Sequence, residues 1–238
     1  MPLLVRTWNV FHGNADPPER RAYLEEMVRL AAADRPDLLC LQEVPVWALS
    51  RLEEWSGMEA FGAIAARPRL VSARLGKAVT GLHHGLLRSA FTGQANAILV
   101  ARSLPTPAQW WWSLLSSAGE GERRVCQAVR VDGLGIVANF HATTRFADAQ
   151  FRRAVNLVEL YAQPDAPIVL CGDGNVTPAA GGVYDELRRR KFSQPAAGID
   201  QIIVRGLPST PPQAWPEGRR HIEGRLLSDH APVELHIG

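Results

Sequence analysis

An acid and an imidazole stand side by side in Ser228-Asp229-His230-Ala231-Pro232-Val233, at the head of an apolar run near the end of the chain. Asn9, Glu43, His141, Asp173, Asn175 and Asp200 each stand at or near the end of another short apolar run. Polar groups repeated at strand ends read as one metal-dependent site assembled from many strands, in which rigid strands hold the ligands and the loops beyond them admit a substrate. Phosphate-ester hydrolysis suits such a set. Magnesium takes one or two carboxylates, keeps several waters and completes its octahedron with substrate phosphate oxygens, so an oxygen-rich site fits it better than zinc. Cys40, Cys126 and Cys171 lie far apart inside apolar runs, without paired zinc spacing. They read as buried, reduced thiols.

The elements that must hold these groups are legible as periodic runs. Residues 3–10 form a β-rich opening. Asp16-Pro17-Pro18-Glu19 has the features of a helix start, with a capping Asp, Pro at the first helical position and Glu three residues after the cap. The spacing predicts a helix over 16–34 whose core stripe is Leu24, Met27, Val28 and Ala31. Residues 38–41 are a continuous apolar run, as in a strand covered on both faces, with Glu43 just past its end. Further strands are predicted over 97–101, 125–131, 134–140, 168–171, 199–204 and 231–237. Asp132-Gly133 accepts positive backbone φ and predicts a tight hairpin between the second and third of these. A second amphipathic helix fits 147–161. Residues 208–216 read as a proline-rich surface loop. Hairpins mixed with helical excursions favour two packed sheets with helices outside over a simple βαβ repeat.

The 238 residues, 46% hydrophobic and 21% charged, can bury a sizeable core, and no break in composition divides them. One domain over 1–238 is expected. A net charge of +2 is too mild to imply a polyanionic partner by itself. There is no basic-then-apolar leader and no apolar run near the roughly 18 residues of a membrane span, so a cytoplasmic protein with no membrane span is expected, and no obligate protein partner is inferred.

The segments Thr7-Trp8-Asn9-Val10, Pro36-Asp37-Leu38-Leu39-Cys40-Leu41-Gln42-Glu43, Ala95-Asn96-Ala97-Ile98-Leu99, Asn139-Phe140-His141, Gly172-Asp173-Gly174-Asn175, Gly198-Ile199-Asp200-Gln201-Ile202 and Ser228-Asp229-His230-Ala231-Pro232-Val233 occur in one order along nearly the whole chain. That ordered set resembles the signature of the endonuclease/exonuclease/phosphatase superfamily. The resemblance implies an α/β fold, a four-layer α/β sandwich of two packed mixed sheets flanked by helices. It implies a divalent-metal-dependent phosphoesterase that attacks with water in line, using Mg2+ with Mn2+ as a possible substitute. Glu43 would be the principal metal ligand, with Asn9 beside it and Asp229 ligating directly or through water. Asp173 and Asn175 would orient the water and hold the phosphate oxygens. His141 would contact a phosphate oxygen, and Asp200 would orient His230. The resemblance leaves His230 and Asp173 as rival bases for the water's proton. Gly174 departs from the family, which usually has a bulky apolar residue there, and a glycine loosens the backbone between Asp173 and Asn175.

Three features lie outside the resemblance. His12 matches no family position, and the adjacent His83 and His84 read as part of a solvated loop. Trp110-Trp111-Trp112 reads either as a platform for bases or as core packing with a partly exposed patch. Residues 60–119 contain no Asp or Glu, where the chain average would place about six, and carry Arg67, Arg69, Arg74, Lys77, Arg88 and Arg102. Either this is a solvated basic face, or Arg67, Arg69, Arg74, Lys77 and Arg88 bind substrate by tracking a phosphate backbone. On the second reading the chain is a nuclease acting on DNA or RNA. The alternatives are a phosphatase or phosphodiesterase of a small phosphorylated metabolite or lipid headgroup, and a catalytically inactive binding module. The last would be expected to have lost catalytic residues, and none of the matched positions is lost.

Overall fold

The computed structural model describes residues 2–67, 92–163 and 165–238. In chain order the first half contains β1 (Leu3–Asn9), β2 (Ala15–Asp16), α1 (Leu24–Ala32), β3 (Leu38–Val44), α2 (Leu52–Ser56), β4 (Glu59–Ala66), β5 (Gln94–Val100) and β6 (Gln109–Leu114). The second contains β7 (Val125–Val131), β8 (Gly135–His141), α3 (Ala147–Tyr161), β9 (Ile168–Asp173), α4 (Val183–Arg189), β10 (Asp200–Arg205), β11 (Gln213–Ala214), β12 (His221–Ile222), β13 (Arg225–Leu227) and β14 (Val233–Ile237). Two mixed sheets result. One runs β11-β14-β1-β3-β5-β4 and the other β10-β9-β8-β7-β6, with a small third sheet β12-β13-β2.

Three apolar layers explain the stacking. Val5, Cys40, Ile98, Val137, Val169, Ile202 and Leu235 fill the space between the large sheets. The outer face of the first sheet is covered by α1 through Leu24, Met27, Val28 and Ala31, the four positions that the sequence periodicity marks. The outer face of the second is covered by α3 and α4 through Phe151, Ala154, Val155, Val183 and Leu187. Strands buried on both faces need near-continuous apolar sequence, which is what β3, β5, β8 and β9 supply. The architecture is the four-layer α/β sandwich.

Three local expectations change. Asp16 does not cap a helix: it pairs with Leu226 in the small sheet, and α1 begins only at Leu24. Glu43 lies within β3, not past it. Residues 208–216 include the short strand β11, which pairs with β14, and are followed closely by the hairpin of β12 and β13. The hairpin at Asp132-Gly133 joins β7 to β8, as its turn chemistry requires. Among the described residues no helix is long and apolar enough to cross a membrane.

Candidate active site

The strand ends converge. In the second sheet His141 pairs with Asp173, and Asp173 pairs with Asp200, so the last residues of β8 and β9 and the first of β10 stand in one row. Across the interior, Asn9 ends β1 opposite Gln42 of β3. Gly172 makes the row possible: at φ 148° its backbone passes so close to Phe140 that a Cβ would lie 2.0 Å from that residue's carbonyl oxygen. β3 carries a bulge between Leu41 and Val44, within which Glu43 takes φ 56°. A bulge re-aims a side chain, and here it turns Glu43 toward the row.

Asp173 is almost fully buried and accepts from Asn9 Nδ2 at 3.0 Å and from the Asn175 backbone at 2.9 Å. Burial, then the neighbouring Asp200 charge, hold its carboxyl well above the ordinary carboxylate range, against the opposing effects of His230, Asn9 and Asn175. Gly174 does not leave this turn loose. Its N–H donates to the Ile199 carbonyl at 2.9 Å, and Asn175 Nδ2 donates to the Ala142 carbonyl at 2.8 Å. A Cβ on residue 174 would meet the Phe151 ring at 3.1 Å, so the ring takes up the room that a bulky residue would need.

His230 places Nδ1 2.8 Å from Asp200 Oδ2 and Nε2 3.8 Å from Asp173. Burial opposes its charge, but the hydrogen bond and charge of Asp200, then Asp173 and Asp229, outweigh that and raise its pKa to about 9. At neutral pH the ring is therefore an imidazolium. The 228–230 loop is pinned by Arg220, which lies outside the signature segments and donates to the carbonyls of Leu227, Ser228 and His230, and by Trp8, whose Nε1 donates to that of His230 at 2.9 Å.

His141 is the opposite case. Arg124 Nη1 lies 3.1 Å and Gln94 Nε2 3.2 Å from its Nδ1. Arginine only donates, so Nδ1 accepts and the ring proton sits on Nε2, which faces Asp173 at 3.3 Å. Burial, then the charges of Arg124, His230 and His12, keep the ring neutral by holding its pKa well below the usual value. Arg124 and Gln94 are readable only once β5, β7 and β8 are assembled.

Glu43 has one carboxylate oxygen 3.3 Å from His12 Nε2 and the other 3.8 Å from His141 Nε2. His12, which the sequence leaves unassigned, thus belongs to the site, carried there by the turn after β1. Asp229 keeps its carboxylate open to solvent, yet partial burial and, among the charges, Glu43 and Asp16 raise its carboxyl.

A model of the Endonuclease/Exonuclease/phosphatase family matches residues 7–230. The chain belongs to that family. Members of the endonuclease/exonuclease/phosphatase family are phosphoesterase hydrolases, and phosphoric ester hydrolysis is the reaction class of this chain. The fold is similar to that of the mannosyl-6-phosphatase of Bacteroides thetaiotaomicron, at 17% identity and TM-score 0.71 with 99% of each chain covered. It is also similar to the human nocturnin catalytic domain, at 17% identity and TM-score 0.68, covering 100% of this chain and 93% of that one. TDP2 of Caenorhabditis elegans is similar at 17% identity and TM-score 0.61, covering 100% and 74%. No curated protein matches the chain in sequence.

The family generally uses divalent metals, and the donors here fit one. Burial first, and among smaller causes the Glu43 charge, raise the Asp229 carboxyl, and a hard cation held by carboxylates would offset that repulsion. Asp173, Asp200 and His230 also offer atoms within 4.8 Å of one another, but Asp200 and His230 already spend theirs on each other. Of the predicted substrate-binding residues, Arg67 lies beside the gap between the edges of the two sheets. Arg69, Arg74, Lys77 and Arg88, with His83 and His84, lie outside the described residues.

Proposed function

We propose that residues 1–238 form one catalytic domain of a cytoplasmic nuclease that hydrolyses phosphodiester bonds of DNA or RNA by direct in-line attack of water, with magnesium as its ion and manganese as a substitute. Glu43 and Asp229 hold the ion, and Asn9 Oδ1, which accepts one hydrogen bond among the described residues, from the Phe11 N–H at 3.0 Å, has a second lone pair to offer it. Bound there, the ion neutralises phosphate charge and stabilises the leaving oxygen. Asp173 takes the proton of the attacking water, since its raised pKa suits a base working near neutrality. His141 donates from Nε2 to a non-bridging oxygen, and the His230 imidazolium, held by Asp200, adds a fixed positive charge as negative charge builds. Asn175 orients the water.

The His141 role gives a direct test. Arg124→Gln keeps a donor toward Nδ1 and should lower kcat less than about tenfold. Arg124→Glu offers an acceptor, moves the proton to Nδ1 and should lower kcat on the order of 10²-fold, because a histidine in the wrong tautomer loses its function. Nitrogen NMR of His141 reads the tautomer. Equal rates in the two variants would remove Arg124 from this role.

The observation that carries the nucleic-acid reading is the charge pattern: residues 60–119 hold no acid and six basic residues. Binding of the Glu43→Gln protein to duplex DNA across a salt series tests it. Each neutralised phosphate contributes about −0.9 to the slope of log affinity against log salt, so Arg67→Ala and Arg69→Ala should each make the slope shallower by about one. A small metabolite meets only the metal site and leaves these arginines silent. A shallow slope, unchanged in both variants, would favour a phosphatase.

A further inference from the structure

The two large sheets are not stacked edge to edge. β4 packs on β7, with Ala63 and Ala65 against Val125 and with Gln127 Nε2 donating to the Phe61 carbonyl at 3.2 Å. β6 continues the second sheet one strand further, past the edge of the first. Its inward face therefore meets the first sheet at that sheet's edge strand, β4, across an open groove. Trp110 and Trp112 lie on that face, since they pair with Val129 and Gln127, and remain 47% and 46% exposed. Trp111 points the other way and packs on Tyr161 with centroids 5.0 Å apart. Ile64 across the gap is also exposed. The groove between them encloses about 390 Å3, and its charged lining is Arg67 and Arg123, with no carboxylate among its described residues.

An apolar patch of this kind marks a binding surface, and its chemistry narrows the ligand. Residues two apart on a strand stand about 6.8 Å apart on one face, about twice the 3.4 Å spacing of stacked bases. One planar ring fits between two indoles so placed. The flanking guanidinium groups match phosphates. The register also ties the groove to the reaction: Trp112 pairs with Gln127, Gln127 pairs with Asn139, and His141 is two residues further along β8. Two strand spacings and two residue rises put Trp112 about 12 Å from His141, or three to four stacked nucleotide steps. Arg123 directly precedes Arg124, which donates to His141 and pairs with Glu122, so one chain segment joins the groove to the site.

We propose that this groove is a base-stacking subsite for a single-stranded segment flanking the scissile phosphate, with Trp110 and Trp112 clasping a base and Arg67 and Arg123 holding its backbone. The proposal rests on the nuclease reading and adds strand state to it: the substrate must present an unpaired base a few nucleotides from the cut. Base stacking on aromatic side chains tolerates any sequence, so the subsite selects single strands without reading sequence.

The test is the affinity of the Glu43→Gln protein for a fluorescent oligothymidylate, compared with its Trp110→Ala/Trp112→Ala version. The double substitution should weaken binding by roughly 10- to 100-fold, the scale of one stacked base, while Trp110→Phe/Trp112→Phe should stay within about threefold of the parent. An oligonucleotide with abasic sites at the flanking positions should bind the parent as weakly as the double variant binds the normal strand, with no further loss when the two are combined. Equal affinity of parent and double variant, for a wild-type protein that does cleave oligonucleotides, would overturn the subsite and leave the nuclease reading standing. No oligonucleotide binding or cleavage by any version would overturn both. A concentration-dependent dimer that the double variant abolishes, with oligonucleotide affinity untouched, would assign the patch to a second copy of the chain and overturn the subsite.

Discussion

Glu43→Gln should lower turnover by about 10³-fold at limiting magnesium while the protein remains folded. The amide keeps the size of the carboxylate but removes the charge proposed to hold the ion, and a single electrostatic partner of a developing oxyanion is worth about 10²–10³ in rate. The bulge that aims residue 43 is set by the β3–β5 register, not by its side chain. Losing the acid also relieves a repulsion, because Glu43 raises the Asp229 carboxyl in the free protein. Calorimetric titration with magnesium or manganese should show weakened binding, and thermal melting should show a Tm within a few degrees of wild type. Near wild-type activity in this variant at limiting magnesium, or normal activity in chelator, would dismiss the metal role.

Loss of His230 should cost roughly 10²–10³ in rate, the range for removing one group that stabilises developing negative charge. Asp200 acts through it, at 2.8 Å from Nδ1. Adding Asp200→Ala to His230→Ala should therefore cost little more, whereas additive losses would separate the two residues. The pH profile carries the same claim. His230 is raised to about 9, so activity that needs the imidazolium is present below about pH 9 and fades as pH rises through it. Asp200→Asn removes the raising charge and should pull that alkaline limb toward the ordinary histidine value near 6.5. Asp173 must be ionised to act as base, so activity rises with pH on an acid limb well above the ordinary carboxylate range. A single limb that ignores Asp200→Asn would contradict these assignments.

Sequence legibility follows the range of the forces involved. The amphipathic period over 147–161 matches α3 at both ends because one face of that helix meets the second sheet along its length. The hairpin at Asp132-Gly133 is a local backbone preference and needs no tertiary information. α1 starts later than its capping motif predicts because Asp16 satisfies its backbone in a strand pair with Leu226, a partner 210 positions away. β4 is not legible in the sequence: its alternation is weak, and its burial comes from resting on β7. The strand-end acids and imidazoles were visible as an ordered motif. His12, Gln94, Arg124 and Arg220 were not, since each acquires its role from a neighbour that only folding supplies.

Cleavage of nucleic-acid phosphodiesters is the proposed activity of this endonuclease/exonuclease/phosphatase-family chain. The most direct measurement compares magnesium-dependent kcat/KM of the wild-type protein on single-stranded DNA and RNA, on sugar phosphates and on phospholipid headgroup esters, with Glu43→Gln as the blank. Oligonucleotide cleavage at least tenfold more efficient than any other class, abolished by Glu43→Gln, is the predicted result. Intact oligonucleotides beside rapid release of phosphate from a sugar phosphate would contradict it.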